Sequence, residues 1–287
     1  MERILVIGGT GRIARPVVRE LVKAGYSVRV MARDPQRSRS LLPVAVEWCQ
    51  GDLQDRAALV AAMHEMDVIY INLPEAANPE AAFVPDIHGI QNILDAAPAG
   101  VLLIKLSEIG ATEVPTYKNL TLKFRADEQI RESGHPYIIF RPTWFMESLP
   151  LILTQGKAII YAGAQLFPLH WIAGQDFARQ VVAALQNRSR TENRIFTVQG
   201  PEAIPFAEAI RRYIQAMGGG LHRIRLPLWV LRLSSIFSAQ RQADYELMAY
   251  FDRHLETFES EATWQLLGKP TITIERFVEG WNTTHDH

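Results

Sequence analysis

Apolar residues fall along this chain in two alternating rhythms. Short runs (Ile4 to Ile7, Ser27 to Ala32, Val44 to Cys49, Val68 to Asn72, Val101 to Leu106 and Tyr137 to Phe140) read as strands. Between them lie stretches with apolar residues at helical spacing. Ile13, Val17, Val18, Leu21 and Val22 mark the first helix, which Gly25 closes. Further helices are expected over 56–64, 87–97 and 120–132, the last stopping at Ser133-Gly134. Val68 to Ile71 is apolar at every position, as a strand covered on both faces must be. Strand and helix alternating six times predict an α/β fold with a doubly wound, Rossmann-like parallel sheet, its ligands beyond the carboxyl ends of the strands.

After Arg141 the rhythm changes to proline-containing loops and aromatics. A helix over 176–185, a strand over 195–198, helices over 206–217 and 228–257, and a last helix over 274–281 are expected. Leu247, Phe251, Leu255 and Phe258 mark one face of the long one, and residues 283–287 read as a frayed tail. The chain thus divides into a nucleotide-binding domain, 1–150, and a smaller, mostly helical substrate lobe, 151–287, interleaved with the sheet because no linker separates them.

Between the first strand and first helix stands Gly8-Gly-Thr-Gly-Arg-Ile-Ala14. Glycines let a main chain approach a phosphate, and a helix N-terminus favours the anion. Gly8, Thr10, Gly11, Arg12 and Ile13 are therefore expected to hold a pyrophosphate. Arg33, just after the second strand, stands where an acidic residue would bind an NAD ribose; an arginine suits the 2′-phosphate of NADP(H).

Composition narrows the classes. Of 287 residues, 48% are hydrophobic and 21% charged, which allows a substantial core and argues against disorder. The net charge of −1 argues against a general nucleic-acid binder. Residues 1–40 carry nine Lys/Arg against three acids; that surplus of six leaves −7 for the rest, a local positive field beside the glycine turn. One cysteine, Cys49, excludes an intramolecular disulfide and fits the cytoplasm. No signal peptide or membrane span is read from the sequence, and no His or Cys pair has zinc spacing apart from His285-x-His287 in the tail.

The glycine turn, Arg33-Asp-Pro, Gly51-Asp52-Leu53 and Phe140-Arg-Pro-Thr-Trp-Phe-Met-Glu-Ser148 together resemble the NmrA-like group of atypical short-chain dehydrogenases/reductases. The resemblance implies that Arg12 and Arg37 join Arg33 at the 2′-phosphate. It places Asp52 and Leu53 at the adenine edge, Asn72, Leu73 and Pro74 beside the riboses, and Pro142, Thr143, Trp144 and Phe145 near the nicotinamide. Ser107 stands where the usual catalytic serine would be. Tyr117 and Lys123 are six apart, so they cannot be the usual Tyr-x-x-x-Lys pair on one helix face. Lys123 instead matches a lysine that in this group holds the ribose hydroxyls or protonates the substrate. Trp144, Phe145, Met146, Phe167, His170 and Trp171 are candidate pocket residues, with His170 as a candidate proton relay.

The resemblance implies an NADP(H)-dependent oxidoreductase that reduces a small apolar quinone, carbonyl, enone or imine, as monomer or homodimer, with no nucleic-acid or membrane partner. A non-catalytic NADP(H) sensor is the alternative, and a sugar-nucleotide epimerase or dehydratase a weaker one. An enzyme needs an open apolar space at the nicotinamide end; a sensor can fill it with side chains.

Overall fold

The computed structural model describes residues 2–42, 44–114 and 116–285. The first half is β1 (Arg3–Ile7), α1 (Ala14–Lys23), β2 (Ser27–Ala32), α2 (Pro35–Ser38), β3 (Glu47–Gln50), α3 (Arg56–Met63), β4 (Val68–Ile71), α4 (Ile90–Ala96), β5 (Leu102–Leu106), α5 (Lys118–Glu132) and β6 (Tyr137–Pro142). There follow β7 (Thr154–Gln155), β8 (Ala158–Ala162), β9 (Pro168–Leu169), α6 (Gly174–Gln186), α7 (Arg188–Thr191), β10 (Arg194–Val198), β11 (Ile204–Pro205), α8 (Phe206–Ala216) and β12 (His222–Leu226). The chain ends with α9 (Leu228–Ser234), α10 (Ala239–Phe251), α11 (Glu261–Leu267) and α12 (Ile274–His285).

Seven strands form one parallel sheet in the order β10-β6-β5-β4-β1-β2-β3. Alternate side chains of each strand feed opposite cores. Ile4, Val6, Val68 and Tyr70 face α1 and α6, whereas Leu5, Ile7, Ile69 and Ile71 face α3, α4 and α5. The order reverses between β1 and β4, and this switch point opens a crevice at the strands' carboxyl ends. β10 and α6 come from beyond residue 150 yet complete the sheet and its helical layer, so a cut at 150 divides the sequence but not the packing. The lobe has its own core around Trp171, Phe206, Tyr213, Phe251 and Phe277.

Three expectations need correction. The third strand starts only at Glu47. The expected helix over 228–257 is broken: Ser238 is extended and its hydroxyl caps α10 through Arg241 N–H at 3.2 Å. α10 stops at Phe251, so Leu255 and Phe258 lie on a following loop, and Asp252 there accepts from Gln165 N–H at 2.6 Å. The last helix continues to His285, while Asp286 and His287 lie outside the described residues. A small sheet of β7, β8 and β12 was not expected; its strands are short and their apolar pattern too brief to separate from loop.

Candidate functional site

The site begins where β1 ends. Gly8 has φ +76°, and a Cβ there would stand 1.9 Å from the Asn72 carbonyl oxygen. Glycine thus lets the end of β4 lie directly against the turn. Gly11 N–H donates to Gly8 O at 2.9 Å, and Arg15 Nε donates to Thr10 O at 2.9 Å, which fixes the loop. The first turn of α1 has no acidic residue and no side-chain cap. Arg15 N–H donates to Gly11 O at 3.1 Å and Pro16 has no N–H, so what this end of α1 offers an anion is chiefly the helix dipole, with no acidic side chain to oppose it. Arg15 is itself surrounded by positive charge: burial, then Arg19 and Arg12, pull its pKa down.

A cleft of about 890 Å³ runs from this turn across the strand ends into the lobe. Every expected cofactor-binding residue lines it except Arg37. Arg37 is exposed on α2, where Pro35 starts a helical turn and Asp34 caps it by accepting from Arg37 N–H at 3.0 Å. Of the nine basic residues in the first forty, only Arg12 and Arg33 line the cleft. Arg29 is structural: its Nη1 donates to Ala62 O at 2.7 Å and its Nε lies 2.8 Å from Glu47. Arg12 reaches across the mouth and donates to Leu151 O at 2.6 Å. Asp52 accepts from Gln54 N–H at 3.0 Å, and Asp55 caps α3.

The inner end of the cleft is rich in buried charge. Lys123 Nζ lies 3.0 Å from Asp86 Oδ2 and donates to Leu73 O at 3.2 Å. Asp127 is fully buried and accepts from Lys105 Nζ, Ser107 Oγ and Arg141 Nε, each at 2.9 Å. Lys105 also lies 3.9 Å from Asp86, so two lysines and two aspartates form one network beneath the strand ends. Burial lowers the Lys123 pKa, but Asp86, Glu75 and Glu108 outweigh it and hold Lys123 above the ordinary lysine value. A lysine so held is a fixed cation and a poor proton donor at neutral pH, contrary to one of the two uses expected for it. Leu73 and Asp86 take two of its three N–H groups, which leaves one for a ligand.

Glu75, Glu108, Glu147 and Asp244, all missed by sequence reasoning, also line the cleft, and the first two act on Lys123. Glu108 follows Ser107 at the end of β5, and its Oε1 accepts from the buried Tyr117 hydroxyl at 2.8 Å. Burial, reinforced by Glu75, pushes the Glu108 carboxyl up to about 8. Glu75, after Pro74, is open to the cleft but walled by protein, and its pKa is raised by desolvation, with Asp86 and Asp244 adding to it. Glu108 had a sequence signal, a carboxylate one residue past the expected serine. Asp86 had none. Tyr117 precedes the first residue of α5, so helical spacing does not govern where its ring points.

Beyond these groups the wall turns apolar. Trp144 packs edge-on against Phe206 and Phe251, and Leu247 and Phe251 of α10 close the far side. Met146 and Trp171 are core, Phe167 is partly exposed outside the cleft, and His170 also lies outside it. His170 Nδ1 is 2.9 Å from Glu256 Oε1, and the other Glu256 oxygen accepts from Thr143 Oγ1 at 2.5 Å. His170 therefore buttresses the loop after β6 and is not placed as a proton relay. Among the described residues no group of three or more His, Cys, Asp or Glu is placed to hold a metal ion, and no helix is long and apolar enough to cross a membrane.

A dinucleotide fits this arrangement. The uncapped helix end and glycine turn suit its diphosphate, the strand ends its riboses, and the apolar end its nicotinamide with a small substrate. Residues 8–188 match the model of an NAD(P)H-binding family. The chain is 33% identical over 222 residues to the (4-alkanoyl-5-oxo-2,5-dihydrofuran-3-yl)methyl phosphate reductase of Streptomyces griseus, covering 75% of this chain and 74% of that protein. It is 30% identical over 233 residues to the NAD(P)H azoreductase of Xenophilus azovorans, covering 78% and 77%. Its fold is similar to that of the NADPH-dependent quinone oxidoreductase of Escherichia coli complexed with NADPH, with a TM-score of 0.73 over 97% of this chain and 99% of that one, at 19% identity.

Proposed function

Because the chain belongs to the NAD(P)H-binding family, in the NmrA-like class of atypical short-chain dehydrogenases/reductases, we propose that it reduces a small, largely apolar carbonyl, enone, quinone or imine with NADPH. The observation that carries this reading is the continuity of the cleft. One end suits a diphosphate, and the other is an open space walled by Trp144, Phe145, Leu247 and Phe251. A sensor has no need of that space. The epimerase alternative requires a tyrosine paired with a lysine, whereas Tyr117 is bonded to Glu108 and Lys123 to Asp86. The bound cofactor supplies the hydride. Gly8 to Ile13 hold its diphosphate, the remaining N–H of Lys123 holds a ribose hydroxyl, and Pro142 to Phe145 flank the nicotinamide. The partner is a small molecule, and the protein works in the cytoplasm as a monomer or homodimer.

Two measurements test this. NADPH consumption against a panel of quinones, enals, ketones and cyclic imines is expected to reveal turnover of at least one class. Tight NADPH binding with no turnover on any of them would transfer the protein to the sensor class. Arg33 is exposed and lines the adenosine end of the cleft. A charge-assisted hydrogen bond to a 2′-phosphate is worth about 1.5–3 kcal/mol. Arg33→Ala should therefore reduce the preference for NADPH over NADH by roughly 10- to 100-fold, read from the ratio of the two dissociation constants. An unchanged ratio would remove Arg33 from the phosphate site.

A further inference from the structure

The reductase reading leaves the proton unassigned, since Lys123 is held as a cation by Asp86. We propose that Glu108 is the proton donor, acting on the substrate oxygen, with Tyr117 as its positioning residue; this rests on the reductase reading.

The geometry is specific. Glu108 stands at the carboxyl end of β5, between Ser107 and Ile109, and all three line the cleft. The Tyr117 hydroxyl fixes one carboxyl oxygen from behind. Tyr117 is itself fully buried, and its ring packs against Tyr250 of α10 with centroids 5.3 Å apart. The other oxygen, Oε2, is buried and has no hydrogen-bond partner among the described residues. A buried carboxyl oxygen with no partner is costly. A neutral carboxylic acid lowers that cost, and because Glu108 as a whole is half-buried at the cleft wall, a turn of its carboxyl group would bring the proton to a substrate oxygen there.

The surrounding charges keep that acid neutral yet able to ionise. Glu75, after β4, and Asp86, before α4, oppose its ionisation, while Lys123 of α5 and the Tyr117 hydroxyl favour it; Tyr250 of α10 also faces it. Desolvation is the largest influence, and the balance lies at about 8. Glu108 is then protonated at neutral pH, and the carboxylate left after transfer is stabilised by Tyr117 and Lys123.

The step balances. The hydride adds to the electrophilic carbon, the carbon–oxygen π pair moves onto oxygen, and an O–H bond forms there as the O–H bond of Glu108 breaks. The substrate gains two electrons, the nicotinamide loses two, and water entering the cleft reprotonates Glu108. Substrates whose reduction places a proton on oxygen, such as ketones, enones and quinones, therefore suit the site better than an imine.

The test is E108Q, which keeps an acceptor for Tyr117 but has no acidic proton. Difference infrared spectroscopy of wild type against E108Q, without substrate, should reveal a carboxylic-acid band at neutral pH that disappears as pH rises through about 8. Absence of that band at neutral pH overturns the proposal whatever the substrate proves to be. With a ketone or quinone that the wild type reduces, E108Q should lose roughly 10²–10⁴-fold in kcat while NADPH affinity is unchanged. The wild-type rate should fall on the alkaline side of about 8, and E108Q should lack that limb. Wild-type turnover matched by E108Q, or an alkaline limb that survives in E108Q, overturns the donor role alone. A wild type inert on the whole panel overturns the reductase reading and the donor role with it.

Discussion

Gly8→Ala is expected to destabilise the protein by about 3–5 kcal/mol and to abolish NADPH binding in whatever fraction still folds. Two penalties combine. The backbone at Gly8 has φ +76°, where an L side chain is strained, and the added Cβ would sit 1.9 Å from the Asn72 carbonyl oxygen. The obstacle is main chain at the end of β4, so no rotamer change relieves it, and the turn must move away from the strand. Two controls separate the penalties. Gly134 has φ +79° with nothing within 4 Å of where a Cβ would stand, so Gly134→Ala should cost only the backbone strain, about 1–2 kcal/mol. At Gly9 a Cβ meets the methyl tips of Val30 and Val6 at 2.9 Å, which can shift in part, so Gly9→Ala should fall between them. Urea melts with NADPH fluorescence titrations would check the series. A Gly8→Ala protein that melts and binds like wild type would contradict the close approach of β4 to the turn.

Asp127→Leu should cost about 3–5 kcal/mol, because it leaves Lys105 buried without its nearest counter-charge. Lys105 is only 1% exposed and its Nζ lies 2.9 Å from Asp127; the remaining carboxylate, Asp86, is 3.9 Å away and already pairs with Lys123. Burial lowers the Lys105 pKa even in the intact network, with Asp127 the largest force opposing it. Without Asp127 the native pKa falls further below the unfolded value. The unfolded chain then binds more protons than the native one, so stability rises with pH. The variant should therefore recover part of its loss between neutral pH and the ordinary lysine range, and Lys105→Met/Asp127→Leu should recover more at neutral pH by removing both charges. Chemical denaturation at several pH values reads both effects. A loss independent of pH would mean that Lys105 is not the origin of the penalty. Ser107 and Arg141 also lose a partner, so the end of β5 that carries Glu108 should loosen at the same time.

The rim of the cleft was legible in the sequence and the pairing of its buried charges was not. Gly8 to Ile13 are contiguous, and the chemistry of a phosphate turn depends on backbone and spacing, both local properties. Arg33 and Asn72 follow strands whose apolar runs are unmistakable, Asp52 follows a shorter and more polar one, and a parallel sheet brings all its strand ends to one edge. Arg37 does not line the cleft, and it stands on a helical turn started by Pro35 and Asp34 that a pattern of charges does not reveal. The expected helix over 228–257 failed for a similar reason: the apolar positions continue past Ser238, but its capping geometry interrupts the helix.

By itself the sequence determined the doubly wound sheet, the glycine turn and the positions that reach its rim, because strand periodicity, helix periodicity and turn chemistry act over a few residues. Only the tertiary structure decided how the charged groups pair. Lys123 meets Asp86, Lys105 meets Asp127, and Tyr117 meets Glu108 across separations of 37, 22 and 9 residues. Ionisation depends on desolvation and on neighbours a few ångströms away, and neither is encoded by spacing along the chain. The glycine turn and the strand ends that line the cleft could thus be read in order, while the buried environment of Glu108 emerges only when the strand ends, α5 and α10 enclose it.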